Sequence, residues 1–373
     1  MKSTVESRTS QGDPRSGANA RTRGPARAGM VNMKDVAQHA GVSSSTVSRV
    51  IAQNPAVQPE TRDRVLEAMR ELDYVVNGLA QSMLGRGSRA VGFLVSHMVG
   101  PTFADVAQGV EEEVSKSGDL LTIITTHGDP EGEMQALQQM REQRARAVLL
   151  VGASRTGSGY GESLQSYQAF LSAAGTRLVL CGHPALSSVP NVPSVHYDNA
   201  GGTRMATEHL LALGHRRIVY LGAQADHSTA EDRLRGYRQA LEAAGLEVDP
   251  GLVPDSTFEL DTCQAAMEEL VSAGRDFTAV VAARDEIAVR ALRVFRRHGI
   301  NVPQDVSLVG YDDMPFMADL TPALTTVRVP YRELGRRAGR LISNGDAAFT
   351  DDVLPVELIV RESTGPAPEV RAG

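Results

Sequence analysis

Residues 33–51 carry a run of short hydroxyl side chains that ends in a cation. The hydrogen-bonding residues of interest are Lys34, Ser43, Ser44, Ser45, Thr46, Ser48 and Arg49. Hydroxyl, ammonium and guanidinium groups contact base edges and phosphates in the major groove of DNA. We therefore predict that these seven residues bind duplex DNA, with Lys34 and Arg49 anchoring phosphates or a base edge. Serine discriminates poorly among bases, so sequence choice should depend on Arg49 and on DNA shape.

The same stretch has the apolar spacing of two short helices separated by Gly41. Glycine enters the left-handed turn region at little cost, and Ser43 can cap the second helix. The residues expected to form a small core are Val36, Ala37, Ala40, Val47, Val50 and Ile51, covered by a third helix with the stripe Val65, Leu66, Met69 and Leu72. The pattern predicts an all-α headpiece over residues 31–75. A helical hairpin inside a larger domain is the alternative.

Three motifs, Lys-Asp-Val-Ala, Ala-Gly-Val-Ser and Thr-Val-Ser-Arg-Val, give this stretch a resemblance to a known family. They resemble the opening of the lactose-repressor (LacI/GalR) family of bacterial transcription regulators. The resemblance implies a helix-turn-helix headpiece, a hinge and a two-lobed core similar to the type I periplasmic binding proteins. It also implies that Ser44 and Ser45 stand where the family reads bases. The expected fold class is α/β, with a small all-α headpiece and a core of doubly wound parallel sheets.

Residues 76–88 stand where the family has a hinge helix that orders only on DNA. The resemblance makes Met83 the apolar wedge in the minor groove and places Ala80 against the partner's hinge. Asn77 is included among the expected DNA contacts. The sequence departs from the family at Met83, where leucine is usual, and at Val76, where proline is usual. A plain linker is the alternative for this segment.

The charge of the chain is unevenly distributed. The net charge is −7, but residues 1–89 hold 13 Lys and Arg against 8 Asp and Glu, a balance of +5 that leaves −12 for the rest. A basic head on an acidic body confines DNA contact to the head. Residues 1–30 have almost no apolar side chains and should be disordered. This extension either touches phosphates nonspecifically or is dispensable.

From residue 89 onward, short apolar runs alternate with helical stretches. This alternation predicts parallel strands joined by helices, arranged as two doubly wound lobes. By resemblance, the chain should cross between lobes near Pro190, Thr325 and Ala348. The predicted core therefore covers residues 89–366, with an N-lobe at 89–189 and 325–347, a C-lobe at 190–324 and 348–366, and a tail at 367–373.

Ligands of open α/β sheets bind beyond the carboxyl ends of the strands, so polar residues that follow strands are candidate contacts in the cleft. The candidates are His97, Thr102, Phe103, His127, Asp198, Arg233, Arg284, Asp285 and Asp312. By resemblance, Arg233, Asp285 and Asp312 are the strongest, because carboxylates accept from paired hydroxyls and an arginine fork donates to them. Each of the three could instead be a strand-end cap or a salt bridge between lobes. Tryptophan is absent, which leaves Phe103, Tyr197 and Phe316 as rings on which a sugar could stack.

Arg284 stands where many relatives have asparagine. If its guanidinium points into the cleft, it adds a second cation and predicts an anionic effector such as a sugar phosphate or a sugar acid. If it pairs with Asp285 or Asp312, that prediction fails.

The sequence as a whole predicts a cytoplasmic, effector-controlled transcription regulator. We expect a repressor that binds a palindromic DNA operator as a homodimer or a tetramer, with a sugar or sugar derivative as its small-molecule effector. An activator or dual regulator of the same family is an alternative. A solute-binding protein is a further one, which should have a signal peptide and no headpiece.

Catalysis is not expected. The chain has no Gly-x-Ser-x-Gly elbow and no phosphate-binding Gly-x4-Gly-Lys-Ser/Thr loop. Its histidines lack metal-ligand spacing, and the two cysteines lie far apart, so we expect no cofactor and no metal. No run of 18 apolar residues occurs, so no membrane partner is expected.

Overall fold

The computed structural model describes residues 31–52, 54–74, 90–98, 100–153, 159–225, 227–344 and 351–369. These residues fall into two compact units, a headpiece and a core, with the division between residues 86 and 87. The predicted DNA contacts Asn77, Ala80 and Met83 lie outside the described residues.

The headpiece consists of α1 (Met33–His39), α2 (Ser44–Ile51) and α3 (Pro59–Glu71). Asn32 caps α1 by accepting a hydrogen bond from the Lys34 backbone N–H at 2.9 Å, and the Asp35 carboxylate accepts from the Asn32 N–H at 2.8 Å. This reciprocal pair is a capping box, which satisfies backbone donors at the helix start. Gly41 has φ +62°, so it makes the predicted left-handed turn into α2.

A small apolar core holds the three headpiece helices together. Its buried members are Val36, Ala37, Val47, Val50, Ile51, Val65 and Ala68. Leu66 was predicted to join this core but is 43% exposed, so that prediction is wrong. The helix instead turns Val65 and Ala68 inward, because residues three apart share a face.

The core unit contains eleven strands and eight helices in its described residues. The strands are β1 (Ala90–Val95), β2 (Leu120–Thr125), β3 (Ala147–Val151), β4 (Arg177–Cys181), β5 (Ser194–Tyr197), β6 (Ile218–Leu221), β7 (Ala279–Ala282), β8 (Ser307–Asp312), β9 (Thr325–Arg328), β10 (Asp351–Leu354) and β11 (Glu357–Ile359). The helices are α4 (Thr102–Val114), α5 (Pro130–Glu142), α6 (Tyr160–Ser172), α7 (Asn199–Ala212), α8 (Ser228–Ala243), α9 (Leu260–Ser272), α10 (Asp285–His298) and α11 (Tyr331–Ser343). No helix in the described ranges is long and apolar enough to cross a lipid bilayer.

Two sheets define the two lobes of the core. The first sheet has the order β10-β5-β4-β3-β1-β2 and is parallel throughout. The second has the order β11-β9-β8-β7-β6 and is parallel except for β11. Central strands such as β3 and β7 are buried along their whole length, which explains their uninterrupted apolar sequences. The α/β fold class predicted from the sequence is confirmed.

The chain crosses between the lobes three times, and each crossing lies a few residues later in the chain than the approximate position predicted from the sequence. Strands β5 and β10 belong to the first sheet and β9 belongs to the second, the reverse of the prediction. The chain therefore crosses after Tyr197, after Arg328 and between Leu354 and Glu357. Each of these three strands has only four residues, and so short a run does not encode which sheet it will join.

Helices α4 and α11 cover the first sheet side by side and approach unusually closely. A Cβ added to Gly335 would lie 2.1 Å from the Val106 carbonyl oxygen, and one added to Gly109 would lie 2.1 Å from the Arg332 carbonyl oxygen. Two salt bridges from Arg332 and Arg336 to Glu112 run along the same contact. The two helices should therefore move as one body.

Gly335→Ala should lower the free energy of unfolding of the core by about 1–3 kcal/mol, because the added methyl forces the two backbones apart. Thermal unfolding monitored by circular dichroism would measure the change. Gln139→Ala, on the exposed face of α5, is the matched control. A Gly335→Ala protein as stable as this control would contradict the close approach.

Candidate functional site

The exposed side of α2 presents the polar residues that the sequence singled out. Arg49 and Ser45 are exposed, while Ser44, Thr46 and Ser48 are half-buried. Lys34 is exposed on α1. The opposite side of α2 buries Val47, Val50 and Ile51. The helix therefore has one face fixed in the headpiece core and one face of donors and acceptors.

Ser43 has a structural role in addition to its predicted one. Its hydroxyl accepts from the Thr46 backbone N–H at 3.2 Å, as a helix cap does. The same oxygen lies 2.8 Å from the Ser45 hydroxyl and 2.9 Å from the Thr46 hydroxyl. This cluster orients the first turn of α2.

A cavity of about 150 Å³ lies between the two lobes of the core. The first sheet and its helices contribute Thr102, Phe103, Val106, Val151, Gly152, Ala153, Cys181, Gly182, Tyr197, Tyr331 and Leu334. The second sheet and its helices contribute His227, Thr229, Arg233, Phe258, Arg284, Glu286 and Asp312. Several of these residues lie at the end of a strand or directly after it, as expected at the carboxyl ends of parallel sheets; they are Val151, Gly152, Ala153, Cys181, Gly182, Tyr197, Arg284 and Asp312.

Arg233 is buried at the base of this cavity, with 2% of its surface exposed. Its Nε donates to the Asn199 side-chain oxygen at 2.9 Å, and its terminal nitrogens donate to the Ala283 carbonyl oxygen, the Asp312 carboxylate and the Tyr197 hydroxyl. The guanidinium also lies 3.6 Å from the centre of the Tyr311 ring. Burial alone would lower its pKa, but the Asp312 carboxylate raises that pKa well above its usual value.

Asp312 supplies the counter-charge to Arg233 from the end of β8. One carboxylate oxygen, Oδ1, accepts from Arg233 at 3.2 Å and from the Tyr331 hydroxyl at 2.7 Å. Its backbone has φ +114°, a strained value for a residue with a side chain. Such strain at a cavity wall indicates that the position of the carboxylate is functionally constrained.

Two tyrosines hold the Arg233–Asp312 pair from the crossover segments. Tyr197 ends β5, just before the first crossing, and Tyr331 begins α11, just after the second. Their rings meet edge to face with centroids 5.7 Å apart. Burial raises the pKa of both phenols, so both remain neutral donors and acceptors at physiological pH. Neither was among the effector contacts expected at strand ends, although Tyr197 was predicted as a stacking ring.

Arg284 and Glu286 form a second charged pair in the cavity wall. The Arg284 Nε lies 3.4 Å from a Glu286 carboxylate oxygen, in a geometry that makes no hydrogen bond. The guanidinium carbon also lies 5.7 Å from the centre of the Phe258 ring. Arg284 thus pairs with neither Asp285 nor Asp312. The charged residues of the wall are two cations and two carboxylates, so their formal charges cancel.

Asp285 is not positioned to contact a ligand in this conformation, which corrects the sequence prediction. It is fully buried and absent from the cavity wall. Its carboxylate accepts from the Thr326 hydroxyl at 2.5 Å and from the Met314 backbone N–H at 2.8 Å. Burial, and then the nearby Asp312 charge, raise its pKa well above the usual value. Asp285 therefore ties the ends of two neighbouring strands together.

Three further candidates lie away from the cavity, again contrary to the prediction. His97 and His127 are exposed and contact each other, with ring centroids 6.0 Å apart. Strand β2 is the edge of its sheet, so the residue two places beyond it lies at the periphery. Asp198 is exposed and caps α7, accepting from the Gly201 N–H at 2.7 Å. Phe316, a predicted stacking ring, is 69% exposed and does not line the cavity.

His227 lines the cavity and escaped the sequence analysis because it follows no strand directly. Its Nδ1 accepts from the Ala230 N–H at 3.4 Å and caps α8, and its ring meets Phe258 edge to face at 4.9 Å. Burial, and then the charges of Arg233 and Arg284, lower its pKa to about 4. The ring is therefore neutral at pH 7.

The lowered pKa of His227 predicts a loss of stability in mild acid. In the unfolded chain the His227 imidazole binds a proton below about pH 6.5, whereas in the folded chain it binds one only below about pH 4. The free energy of unfolding therefore falls as the pH drops from about 6.5 to about 4. His227→Gln should remove up to about 1.4 kcal/mol per pH unit of that slope. Unfolding curves at pH 6.5 and 5 would measure it, with His97→Gln as the exposed control. Equal slopes for wild type and His227→Gln would contradict the assignment.

Comparisons with known proteins agree with this architecture. A family model described as bacterial regulatory proteins, lacI family, matches residues 32–77, and one for a periplasmic binding protein-like domain matches residues 207–364. The regulator CelR of Thermobifida fusca is 36% identical over 337 residues, covering 88% of this chain and 96% of CelR. The chain belongs to the LacI family. It is therefore a DNA-binding transcription regulator.

Solved structures of LacI-family proteins share the fold. A CelR–cellobiose complex has a TM-score of 0.66 at 34% identity, covering 89% of this chain and 99% of that one. The Lac repressor dimer bound to operator and the anti-inducer ONPF has a TM-score of 0.77 at 26% identity, covering 90% and 99%. Among the described residues no cluster of three metal-binding side chains occurs.

Proposed function

We propose that this LacI-family protein is a repressor that binds a palindromic operator as a homodimer and responds to a small neutral sugar. The observation that supports a small-molecule effector is the interlobe cavity. Its wall includes the charged side chains of Arg233 and Asp312, which are buried and held in place by hydrogen bonds. Buried charges are costly, so a buried ion pair whose carboxylate lines a cavity supports a role in ligand recognition.

The DNA-binding half rests on the exposed face of α2. Ser44, Ser45 and Arg49 would read base edges, and Lys34 would contact a phosphate. By family resemblance, Asn77, Ala80 and Met83 would form the hinge contacts. Effector binding would change the angle between the lobes and so bias the ordering of the paired hinges.

A neutral effector is favoured over the anionic one that Arg284 suggested. Each cation of the wall already faces a carboxylate, Arg233 with Asp312 and Arg284 with Glu286, so no net positive charge attracts an anion. Free carboxylate oxygens and hydroxyls suit a polyhydroxylated ligand. Phe103 and Phe258, from opposite lobes, would cover its apolar faces. The relative CelR was solved with cellobiose, a neutral sugar.

A homodimer is supported by exposed apolar side chains at the edge of the first sheet. Leu120 is 71% exposed and Ile123 is 43% exposed on the edge strand β2, with Met98 46% exposed nearby in sequence to β1. Exposed apolar side chains on an edge strand favour association.

The headpiece, which a solute-binding protein would lack, counts against that alternative, and we propose the cytoplasm as the location.

Calorimetric titration of the full chain with glucose, galactose, ribose and cellobiose tests the effector proposal. At least one of these neutral sugars should bind, and Asp312→Asn should weaken that binding at least tenfold because a sugar hydroxyl loses its charged acceptor. Binding of glucose 6-phosphate alone would reject the neutral effector. Whether the bound sugar lowers or raises DNA affinity separates a repressor with an inducer from one with a corepressor.

A further inference from the structure

The cavity wall carries two charged pairs that differ in how completely their hydrogen-bonding groups are paired. In the first pair, Arg233 donates hydrogen bonds to four partners and Asp312 accepts two. In the second pair, the buried Arg284 Nε–H has no hydrogen-bond partner among the described residues. Buried donors in native proteins are nearly always paired, so this unpaired N–H in a cavity wall is a donor available to a bound ligand.

Glu286 is the acidic residue of this second pair. One of its carboxylate oxygens faces Arg284 at 3.4 Å. The other lies 3.3 Å from the position that a Cβ would take on Gly100, in the turn that leads into α4 of the opposite lobe. Gly100 has φ +81° and no side chain, so the carboxylate fits at the junction of the lobes.

We propose that Glu286 is a specificity-determining residue for the effector. A hydroxyl of the ligand would accept from the Arg284 Nε–H and donate to the Glu286 carboxylate, which satisfies both groups at once. The carboxylate also cancels the Arg284 charge and so disfavours anionic ligands next to this pair. The proposal rests on the proposed effector function and adds the residue that distinguishes neutral sugars from acidic ones.

The charge argument predicts the effect of removing the carboxylate. Glu286→Gln keeps the size and a hydrogen-bonding oxygen but leaves Arg284 as an unpaired cation in a partly buried wall. Anions are attracted more strongly to such a cation than to one on an open surface, because screening is weaker there. The variant should therefore gain an anion site that the wild-type protein lacks.

Thermal unfolding of the full chain in sodium sulfate, and in sodium D-glucuronate, tests this inference against sodium chloride at equal ionic strength. Sulfate stabilises most proteins by exclusion from their surface, so the signal is the difference between variants. Glu286→Gln should show a larger concentration-dependent rise in melting temperature than the wild type with both anions. The double variant Arg284→Gln with Glu286→Gln should lose this excess, and Glu269→Gln, an exposed glutamate on α9, should match the wild type. Equal responses of wild type and Glu286→Gln would overturn the proposal.

A second measurement separates this inference from the proposed function. Any neutral sugar that binds the wild type should bind both Glu286→Gln and Arg284→Gln about tenfold more weakly, since each loses one charged partner of a hydroxyl. Unchanged affinity in both variants would overturn the proposal even if sugar binding itself is confirmed. If no neutral sugar binds the wild type, the proposed function fails, while the anion arm still decides the role of Glu286.

Discussion

Asp312→Ala should lower the free energy of unfolding of the core by about 3–5 kcal/mol, because it leaves the Arg233 guanidinium buried without its counter-charge. Arg233 is only 2% exposed, so water cannot replace the carboxylate. The Tyr331 hydroxyl loses its acceptor in the same substitution. Urea unfolding monitored by circular dichroism would measure the loss.

Tyr331→Phe is the graded control for this prediction. It removes one hydroxyl from Asp312 but keeps the ion pair, so it should cost only about 1 kcal/mol. If Asp312→Ala were no more destabilising than Tyr331→Phe, Asp312 would not be the counter-charge that stabilises the buried Arg233 guanidinium.

Arg49→Ala should weaken operator binding by about 1–3 kcal/mol for each half-site, the value typical of a lost arginine contact to a base. In a dimer both half-sites lose the contact, so the affinity should fall between about 30-fold and 10⁴-fold. Fluorescence anisotropy with a labelled operator at fixed salt concentration would measure it.

Arg64→Ala provides a control of equal charge for the Arg49 prediction. Arg64 is exposed on α3 of the same headpiece, and its substitution by alanine removes the same positive charge. A purely electrostatic effect would weaken binding similarly in both variants. Equal losses, or unchanged affinity in Arg49→Ala, would reject a direct role for Arg49 in reading DNA.

The headpiece could be predicted from the sequence because its determinants are local. Gly41 and Ser43 mark the turn and the cap, and the structure places both there. The lobe boundaries could not be predicted in the same way. A strand such as β5 is only four residues long, and its pairing with β4 and β10 depends on residues far away in the chain.

The cavity was partly predictable for a related reason. Thr102, Phe103, Arg233, Arg284 and Asp312 lie on its wall, as family resemblance and their positions suggested. The rule that ligand-binding residues follow strands does not predict which way a side chain points. Asp285 and Asp198 both follow strands, but Asp285 turns into the core and Asp198 caps a helix.

The cavity residues that the sequence analysis did not predict lie in helix starts and in a loop. Tyr331 and Glu286 stand in the first turns of α11 and α10, and Phe258 lies in a loop before α9. The lobes bring them together through contacts that no local pattern records.

The central claim is that a sugar in the interlobe cavity controls a dimeric DNA-binding headpiece. The most direct measurement is the affinity of the full chain for a palindromic duplex, selected by the protein from a random DNA library, with and without each neutral sugar. We predict enrichment of a palindrome and a change in its affinity of at least tenfold with one sugar. Failure to enrich any palindrome, or an affinity that no sugar alters, would contradict the account.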